Sequence, residues 1–286
     1  MPLTAFLLVL IAAFCHSTWN LLAKRAAHSR HLIWFSSVGN AILFLPLALW
    51  IVQQSYSALG PKAAIFLLLT GILHVCYTES LQRGYRAGDL SLVYPLARGT
   101  GPLLSFFGAI LVLGERPSWL AAAGALMVSS GILVLSGGAS AWRRKDARAG
   151  LFWGILTGFI ISSYTLTDGY SVKVLLLSPV LVDYSGNLFR TVVLSARAWR
   201  ERATIPGEYR QYWREALGIS VLTPTGYILV LFAMQLAPVS HVAPVREMSM
   251  MIGAYFGTRL LSEGHATRRM IGSAMIASGV AGLALG

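Results

Sequence analysis

Residues 91–98 read SLVYPLAR and residues 240–247 read SHVAPVRE, two stretches that match each other at a distance of 149 residues. The match places serine on serine, proline on proline and, at its last position, Arg98 on Glu247. Working outward, Gly39-Asn40 matches Gly186-Asn187 at a distance of 147 residues. Small drifts of this kind are typical of divergent copies, so we infer that the chain contains two copies of one structural unit.

The composition indicates that both copies lie in a membrane. Of the 286 residues, 56% are hydrophobic and only 12% are Asp, Glu, Lys or Arg, and the mean hydropathy is +0.64. Soluble domains carry about 25% charged residues, so half that share is too small to cover a water-exposed surface. These values exclude a soluble enzyme, a disordered chain and a disulfide-stapled secreted domain.

Ten segments are long and apolar enough to cross a bilayer, which takes roughly 20 residues per helix. The first copy then covers residues 1–140, a basic cytoplasmic linker covers 141–148, and the second copy covers 149–286. Because each copy has an odd number of helices, the second crosses the membrane upside down relative to the first. The predicted fold is all-α and integral to the membrane, with ten transmembrane helices as two inverted five-helix repeats. The predicted spans are 3–22, 32–52, 63–85, 90–112, 118–136, 149–167, 179–197, 214–235, 239–260 and 267–285.

The positions of the 23 basic residues predict the topology. Seventeen lie in the loops after helices 1, 3, 5, 7 and 9, three lie in the loops after helices 2, 4, 6 and 8, and three lie inside spans. Short loops rich in Lys and Arg stay in the cytoplasm, so these odd-to-even loops are predicted to be cytoplasmic and both termini outside. The embedded residues Arg98, Arg190 and Arg246 remain as candidates for chemistry.

The segment after the fourth span resembles a known family. Residues 113–124, LGERPSWLAAAG, resemble the end of an EamA domain, and the second copy repeats the pattern more weakly. The chain thus resembles the two-EamA, ten-helix branch of the drug/metabolite transporter superfamily over its whole length. The second copy departs from the first at two places: Ser262 stands in place of Gly114, and Thr167-Asp168 in place of Trp19-Asn20.

The resemblance implies a secondary transporter in the cytoplasmic membrane of a prokaryote. Helices 1–4 and 6–9 are expected around a central cavity, with helices 5 and 10 holding the halves together. Inverted repeats favour alternating access, because the two halves can exchange roles and open on either side. We expect the substrate to be a small polar or zwitterionic metabolite such as an amino acid, and export to be the direction.

Two alternatives stay open: a membrane-embedded enzyme that acts on a lipid or isoprenoid with His74 and Glu79 as acid and base, and a lipid flippase or scaffold. The favoured interpretation expects no enzyme activity, no cofactor and no nucleic acid. It expects the lipid bilayer as surroundings, protons as a candidate coupling ion, and a monomer or weak oligomer. No metal site is predicted, since His74 and Glu79 are five residues apart and so do not share the spacing of a metal pair on one helix.

Arg98 is the strongest candidate for substrate binding. It lies in the fourth span near mid-depth, where a cation costs at least about 2.5–3.5 kcal/mol. It shares one helix stripe with Tyr94 and Gly101, which favours a guanidinium that faces a wet cavity and binds a carboxylate or phosphonate. The alternative is a structural ion pair with Glu247.

Arg246 and Glu247 form the matching feature in the ninth span. Neighbouring positions on a helix point about 100° apart, so only one of the two is expected to face a narrow cavity. Arg246 is a candidate for substrate binding. Glu247 could take up a proton and couple transport to the proton gradient, since burial disfavours a charged carboxylate. A static partner for Arg98 or Arg246 is the alternative for Glu247.

Glu79 and His74 on the third helix are predicted to take part in coupling or gating. For Glu79 the alternative is an ordinary ion pair with Arg83, which lies one turn later. His16, Trp19 and Asn20 form a polar face on the first helix that must meet protein or water. Together with Tyr94, three further aromatic residues are predicted to line the cavity: Trp19, Tyr77 and Tyr164.

Polar residues on the second and seventh helices are predicted to connect helices inside the bundle. Asn40 and Asn187, which the repeat pairs, are expected to form hydrogen bonds between helices. Asp183 and Arg190 lie on the same side of the seventh helix, which predicts a network between them. On the sixth helix, Gly150, Gly154 and Gly158 predict close helix packing.

Overall fold

The structure of the protein is a computed structural model that describes residues 1–26, 28–55, 59–87, 90–135, 147–260 and 266–286. Every regular element within these ranges is an α-helix. The helices are α1 (Leu3–Arg25), α2 (Leu32–Ser55), α3 (Pro61–Ala87), α4 (Leu90–Leu113), α5 (Trp119–Leu135), α6 (Ala147–Lys173), α7 (Pro179–Arg200), α8 (Ile205–Leu236), α9 (Val239–Val245), α10 (Met248–Leu260) and α11 (Ala266–Leu285).

The helices form the predicted all-α membrane fold. Among the described residues, six helices are long and apolar enough to cross a membrane, and α5 and α11 contain shorter apolar segments. With α7 and the α9–α10 pair, these helices make up the ten transmembrane helices of two inverted repeats. Most of the predicted linker at 141–148 lies outside the described residues.

The ninth span is not one continuous helix, as the sequence predicts, but two. α9 ends at Val245 and α10 begins at Met248, with a turn at Arg246 and Glu247. In this turn the N–H of Glu247 donates to the carbonyl oxygen of Pro244 at 3.0 Å, which is the tighter spacing of three residues. Pro244 favours such a turn because its ring crowds the carbonyl of the preceding helical turn.

The eighth helix starts earlier than predicted, at Ile205 instead of residue 214. Its first part is polar, which hides it from a search for apolar spans, and it carries Pro206 and Glu208 in the first turn. Both residue types favour a helix N-terminus. The backbone departs from helical angles at Tyr212 (φ −118°, ψ 16°), so the polar first part and the apolar remainder meet at a kink.

The contacts between helices follow the symmetry of the repeat. α1 packs on α8 and α3 packs on α6, while α2 packs on α8 and α3 packs on α7. If the two copies are exchanged, the contact of α1 with α8 becomes the contact of α6 with α3. The contact of α2 with α8 likewise becomes the contact of α7 with α3, as an inverted repeat requires. The pairs α2–α7 and α5–α11 turn into themselves and therefore lie around the pseudo-two-fold axis.

Glycines let α5 and α11 approach closely, and this pair holds the two halves together as the resemblance implies. A Cβ atom added at Gly124 would lie 2.6 Å from the carbonyl oxygen of Gly279, and a Cβ added at Gly279 would lie 2.6 Å from that of Gly124. Side chains at either position would force the helices apart. A Cβ added at Gly154 on α6 would lie 3.0 Å from the side chain of Leu96 on α4, so these two helices also pack closely.

The Gly114-Glu115 motif forms a second connection between the copies. Gly114 has φ +68°, a left-handed conformation that favours glycine. The carboxylate of Glu115 then accepts hydrogen bonds from the N–H groups of Val239 (2.7 Å) and Ser240 (2.9 Å), at the start of α9. Lys173 lies 3.3 Å from the same carboxylate.

The environment of Glu115 favours its charged form. Burial alone would raise the pKa of this carboxyl, but the hydrogen bonds from Ser240 and Val239 and the charge of Lys173 outweigh burial and hold the pKa below its ordinary value. Glu115 therefore acts as an anionic cap on the N-terminus of α9.

Candidate functional site

Three charged side chains meet where the ninth span is interrupted. The guanidinium Nη2 of Arg98 lies 2.7 Å from Oε2 of Glu247, and Nε of Arg246 lies 3.6 Å from Oε1 of the same carboxylate. Arg98 and Arg246 are each 4% exposed and Glu247 is fully buried. The ion pair between Arg98 and Glu247 is thus present. Arg246 and Glu247 lie in the turn between α9 and α10, so the angle of about 100° between neighbouring positions of a continuous helix does not apply to them.

This charge cluster retains unused polar atoms. Arg98 Nη2 also donates to Ser249 Oγ at 3.3 Å, and Ser17 Oγ on α1 donates to the Ser249 carbonyl oxygen at 2.7 Å. Within the described part of the chain, Arg98 Nε and Arg246 Nη2 have no hydrogen-bond partner, whereas Arg246 Nε and the two oxygens of Glu247 make ionic contacts without hydrogen-bond geometry. Two cations face one anion, so the cluster carries a surplus positive charge that a bound anion could neutralise.

A second buried cluster joins α3, α6 and α8. The hydroxyl of Tyr227 donates to Oδ2 of Asp168 at 2.5 Å, and His74 Nε2 lies 4.0 Å from the same oxygen. His74 Nδ1 lies 2.9 Å from the carbonyl oxygen of Thr70. Because a carbonyl only accepts, Nδ1 carries the proton in the neutral ring and Nε2 faces Asp168 without one.

Asp168 is fully buried in this cluster. Among the described residues, no Lys or Arg nitrogen lies within 4.0 Å of it, and the histidine is its sole ion-pairing partner at that distance. A buried carboxylate without a cation close by favours its neutral form. The cluster can therefore hold a proton, either on Asp168 or on His74 Nε2.

Asp168 and Tyr227 are not among the site residues that the sequence predicts. Asp168 is noted there merely as a departure of the second copy from the first. The signal that could identify it is an acidic residue well inside an apolar span, which is costly unless it has a function. Tyr227 carries no such signal, since a tyrosine within a span is ordinary.

A cavity of about 200 Å³, partly open to the outside, lies between α1, α2, α3, α7 and α8. Trp19 and Tyr77 line it, and Arg190 is the basic residue in its wall. Ile33 and Tyr85 extend its lining toward the end of the bundle where α2 begins and α3 ends. The full lining is Trp19, Ile33, Ser36, Asn40, Tyr77, Thr78, Leu81, Gln82, Tyr85, Arg190, Ile219 and Thr223.

Arg190 is held by neutral partners from α2 and α7. Its Nε donates to Ser37 Oγ at 3.1 Å and its Nη2 to Asn187 Oδ1 at 3.0 Å. Asn187 Nδ2 in turn donates to the Ser37 carbonyl oxygen at 3.0 Å, which is the predicted hydrogen bond between helices. No ion pair between Asp183 and Arg190 forms within 4.0 Å, although both residues lie in the described range of α7.

Other predicted substrate-binding residues lie around these features. Tyr164 packs against His74, with ring centroids 4.5 Å apart, and against Tyr77 at 5.8 Å. It thereby connects the second cluster with the cavity wall. Tyr94 lies one turn before Arg98 on α4.

His16 and Asn20 are engaged within α1 and do not line this cavity. Trp19 Nε1 donates to His16 Nδ1 at 3.2 Å, and Asn20 Nδ2 donates to the His16 carbonyl oxygen at 2.7 Å. Of the polar face predicted on the first helix, only Trp19 reaches the cavity.

Glu79 and His74 lie in different environments. The side chain of Glu79 is 54% exposed and faces Arg83, with 4.0 Å between the charged atoms, which matches the ordinary ion-pair alternative. His74 instead packs against Tyr164 and Tyr227 in the interior. The described residues contain no group of three or more His, Cys, Asp or Glu side chains that could hold a metal ion.

Comparison with known proteins identifies the family. The profile of the EamA-like transporter family matches residues 3–137 and 148–285. A solved structure described only as the crystal structure of a protein shares the fold, with a TM-score of 0.72 over 98% of each chain at 16% sequence identity. A search of curated protein sequences gives no match. Because the two matched segments cover nearly the whole chain, this multi-pass membrane protein belongs to the EamA-like transporter family.

Proposed function

We propose that the protein is a secondary active transporter that moves a small polar or zwitterionic metabolite, such as an amino acid, by alternating access. The observation that carries this proposal is the buried cluster of Arg98, Arg246 and Glu247. It lies where the ninth helix is interrupted and joins α4 of one repeat to α9 and α10 of the other. A charge cluster that bridges two inverted repeats is the arrangement in which substrate binding and a change of access can be connected.

The surplus positive charge of the cluster supports an anionic group on the substrate. Arg98 and Arg246 share one carboxylate, and Arg246 keeps unpaired N–H groups. A substrate carboxylate would accept those hydrogen bonds and neutralise the second guanidinium. Tyr77 and Tyr164, which pack on each other nearby, supply an apolar surface for the rest of the molecule.

We further propose that protons drive transport and that Asp168 with His74 binds them. Glu247 is the candidate that the sequence suggests, but it lies 2.7 Å from Arg98 and 3.6 Å from Arg246, so taking up a proton would break both ion pairs. The groups that face Asp168 are Tyr227 from α8 and His74 and Thr70 from α3. Arg246 and the carboxyl group of Asp183 on α7 act on it from beyond ion-pairing distance. A site of this kind can gain and lose a proton without breaking an ion pair.

The direction and orientation that we propose follow from the charge distribution and from the family. The seventeen basic residues of the odd-to-even loops support a cytoplasmic location for those loops, with both termini outside. The cavity lining extends toward the same end of the bundle, where α2 begins and α3 ends, which supports an opening on that side. Substrate would then enter from the cytoplasm and be exported across the cytoplasmic membrane of a prokaryote.

The direct test is exchange of labelled amino acids by the purified protein in lipid vesicles. Arg98→Met should abolish exchange while the variant remains folded by circular dichroism. Arg83→Gln, which changes an exposed arginine, should exchange at the wild-type rate. Wild-type exchange by Arg98→Met would rule out Arg98 as a substrate anchor, and the absence of exchange with every amino acid and small organic anion tested would rule out the proposed substrate class.

The coupling proposal is tested by imposing a pH gradient across the same vesicles. Asp168→Asn should lose accumulation driven by the gradient but keep exchange at equal pH, because the substrate site is intact. Glu79→Gln should behave as wild type. If Asp168→Asn still accumulates substrate, or if gradient dependence is lost in Glu247→Gln alone, the assignment to Asp168 is wrong.

A further inference from the structure

A buried histidine connects the two repeats at the end of the bundle where α2 begins. His31 lies directly before α2 and is 3% exposed. Its Nδ1 lies 3.1 Å from Oε1 of Glu208 on α8, in hydrogen-bond geometry. Its Nε2 lies 3.3 Å from Oε2 of Glu201, the C-cap of α7, an ionic contact without hydrogen-bond geometry. One ring of the first repeat therefore faces a carboxylate on each of two helices of the second.

A neutral imidazole ring cannot satisfy both carboxylates. It carries one N–H donor and one lone pair, whereas an ionised carboxylate only accepts hydrogen bonds. Either neutral tautomer of His31 therefore turns a lone pair toward an anion, while the imidazolium has an N–H on each side. Histidine side chains ordinarily change charge between about pH 5 and pH 8, so an arrangement of this kind responds to pH near neutrality.

The two carboxylates differ in how firmly they are held. Oε2 of Glu208 accepts a hydrogen bond from Ser29 Oγ at 2.9 Å. It also accepts from the backbone N–H groups of Arg30 at 3.0 Å and of His31 at 3.2 Å. Burial alone would raise the pKa of Glu208, but the hydrogen bonds from Ser29 and His31 outweigh burial and hold the pKa below its ordinary value. The Glu201 side chain is 34% exposed, so a neutral ring would release Glu201 and keep Glu208.

The surroundings of the ring provide a second partner for Glu201. Arg197, one turn earlier on α7, lies 3.5 Å from that carboxylate. Phe35 lies beside the His31 ring, with centroids 6.2 Å apart, and Tyr209 of α8 packs on Phe35 at 5.3 Å. Within the described chain, the titratable groups that face the ring are thus the two carboxylates, with Arg197 behind one of them and Tyr209 behind Phe35.

We propose that His31 is a pH-controlled connection between α2 of the first repeat and α7 of the second. The imidazolium holds Glu201 at low pH, and loss of its proton at higher pH releases Glu201 while Glu208 stays bound. Both α2 and α7 line the cavity, through residues such as Ser36 and Arg190, so the connection restrains relative movement of the repeats at this end. The inference goes beyond the proposed substrate and proton sites, neither of which contains His31 or its two carboxylates.

The test is a pair of double-mutant cycles on the purified full chain, unfolded by SDS in mixed micelles at pH 5.5 and at pH 8. One cycle combines His31→Leu with Glu201→Gln, and the other combines it with Glu208→Gln. The coupling of His31 with Glu201 should change the unfolding equilibrium constant roughly threefold to tenfold at pH 5.5 and be absent at pH 8. The coupling with Glu208 should persist at both pH values, because the neutral ring still donates through Nδ1.

The design separates this connection from proton binding elsewhere. Titration of a distant group affects all four proteins of a cycle alike and so cancels in the coupling. A third cycle of His31→Leu with Glu79→Gln, at an exposed site on α3, is the control and should show no coupling at either pH. If His31→Leu does not fold, Glu201→Gln alone decides, because it should lower the stability of the protein more at pH 5.5 than at pH 8.

The proposal is overturned if the coupling of His31 with Glu201 is the same at both pH values, or if the coupling with Glu208 is the one that disappears at pH 8. In vesicles with equal pH on both sides, wild type should exchange substrate a few-fold more slowly than Glu201→Gln at pH 5.5 and at the same rate at pH 8. A rate ratio that does not change with pH would overturn the restraint on movement. Absence of exchange by both proteins would contradict the proposed transport function, and the cycles would still decide the connection.

Discussion

α4 and the α9–α10 pair are the same element of the two repeats, yet one is continuous and the other is interrupted. Both have a serine as their second residue and a proline four residues after it, at Pro95 and Pro244. α4 runs unbroken from Leu90 to Leu113, whereas α9 stops at Val245. A proline at the matched position is therefore not sufficient to interrupt the helix.

The last positions of the matched stretches, 98 and 247, carry opposite charges although they are equivalent in the repeat. Arg98 and Glu247 occupy equivalent sites and contact each other at 2.7 Å. Two equivalent positions of an inverted repeat can touch only near its pseudo-two-fold axis, so this ion pair marks that axis. The symmetry of the repeat determines where the two residues meet, and the difference between arginine and glutamate determines how they interact.

Removing the carboxylate should have the largest effect, because Glu247 is the anion that both Arg98 and Arg246 contact. We expect Glu247→Gln to lower the free energy of unfolding by about 3–5 kcal/mol, the range for a buried ion pair that loses one partner. Unfolding by SDS titration in mixed micelles measures this. Glu79→Gln, at an exposed site, should stay within about 0.5 kcal/mol of wild type. Equal stability of both variants would contradict the central role of Glu247.

Changing the arginine of the pair should cost less stability than changing the glutamate. Arg98→Met leaves Glu247 with Arg246 at 3.6 Å, so one ion pair survives. The loss should be about 1–3 kcal/mol, measured in the same titration. A loss equal to that of Glu247→Gln would show that Arg246 does not compensate the carboxylate.

Glu115, the cap on the N-terminus of α9, should make a smaller and pH-dependent contribution to the free energy of unfolding. Glu115→Gln should lower the free energy of unfolding at pH 7 by about 1–2 kcal/mol, the range for a lost helix cap. Because the folded protein lowers the pKa of Glu115, the wild-type contribution is present above about pH 4.5 and is lost as the pH falls through the lowered value. The difference between the two proteins should therefore shrink on acidification, and a constant difference would contradict the cap.

The smallest effect is expected at Pro244. Pro244→Ala should change the free energy of unfolding by less than about 1 kcal/mol and leave the turn at Arg246 and Glu247 in place. Amide hydrogen exchange at Met248 and Ser249 measures whether the turn persists. Slow exchange typical of a continuous helix in the variant would show that Pro244 alone interrupts the ninth span.

Much of the fold follows from the order of residues along the chain. Apolar length predicts the spans, and the match of 91–98 with 240–247 predicts the inverted repeat. The polar start of α8 is not predicted, because hydropathy identifies segments that lie within the membrane and does not identify polar helices. The candidate site is predicted less completely: Arg98, Glu247, Trp19 and Tyr77 are anticipated, while the roles of Asp168 and Tyr227 are not.

By itself the sequence determined that this is a ten-helix membrane protein of two inverted repeats, because hydrophobic length and internal similarity are properties of the chain. Only the tertiary structure decided that the ninth helix is interrupted, that Asp168 meets His74 and Tyr227, and that Arg190, and not Arg98, lines the cavity. These features depend on contacts between residues more than 50 positions apart, such as His74 with Asp168 and Arg98 with Glu247. Such contacts are set by which helix faces pack together, and hydrophobic periodicity alone does not specify that choice.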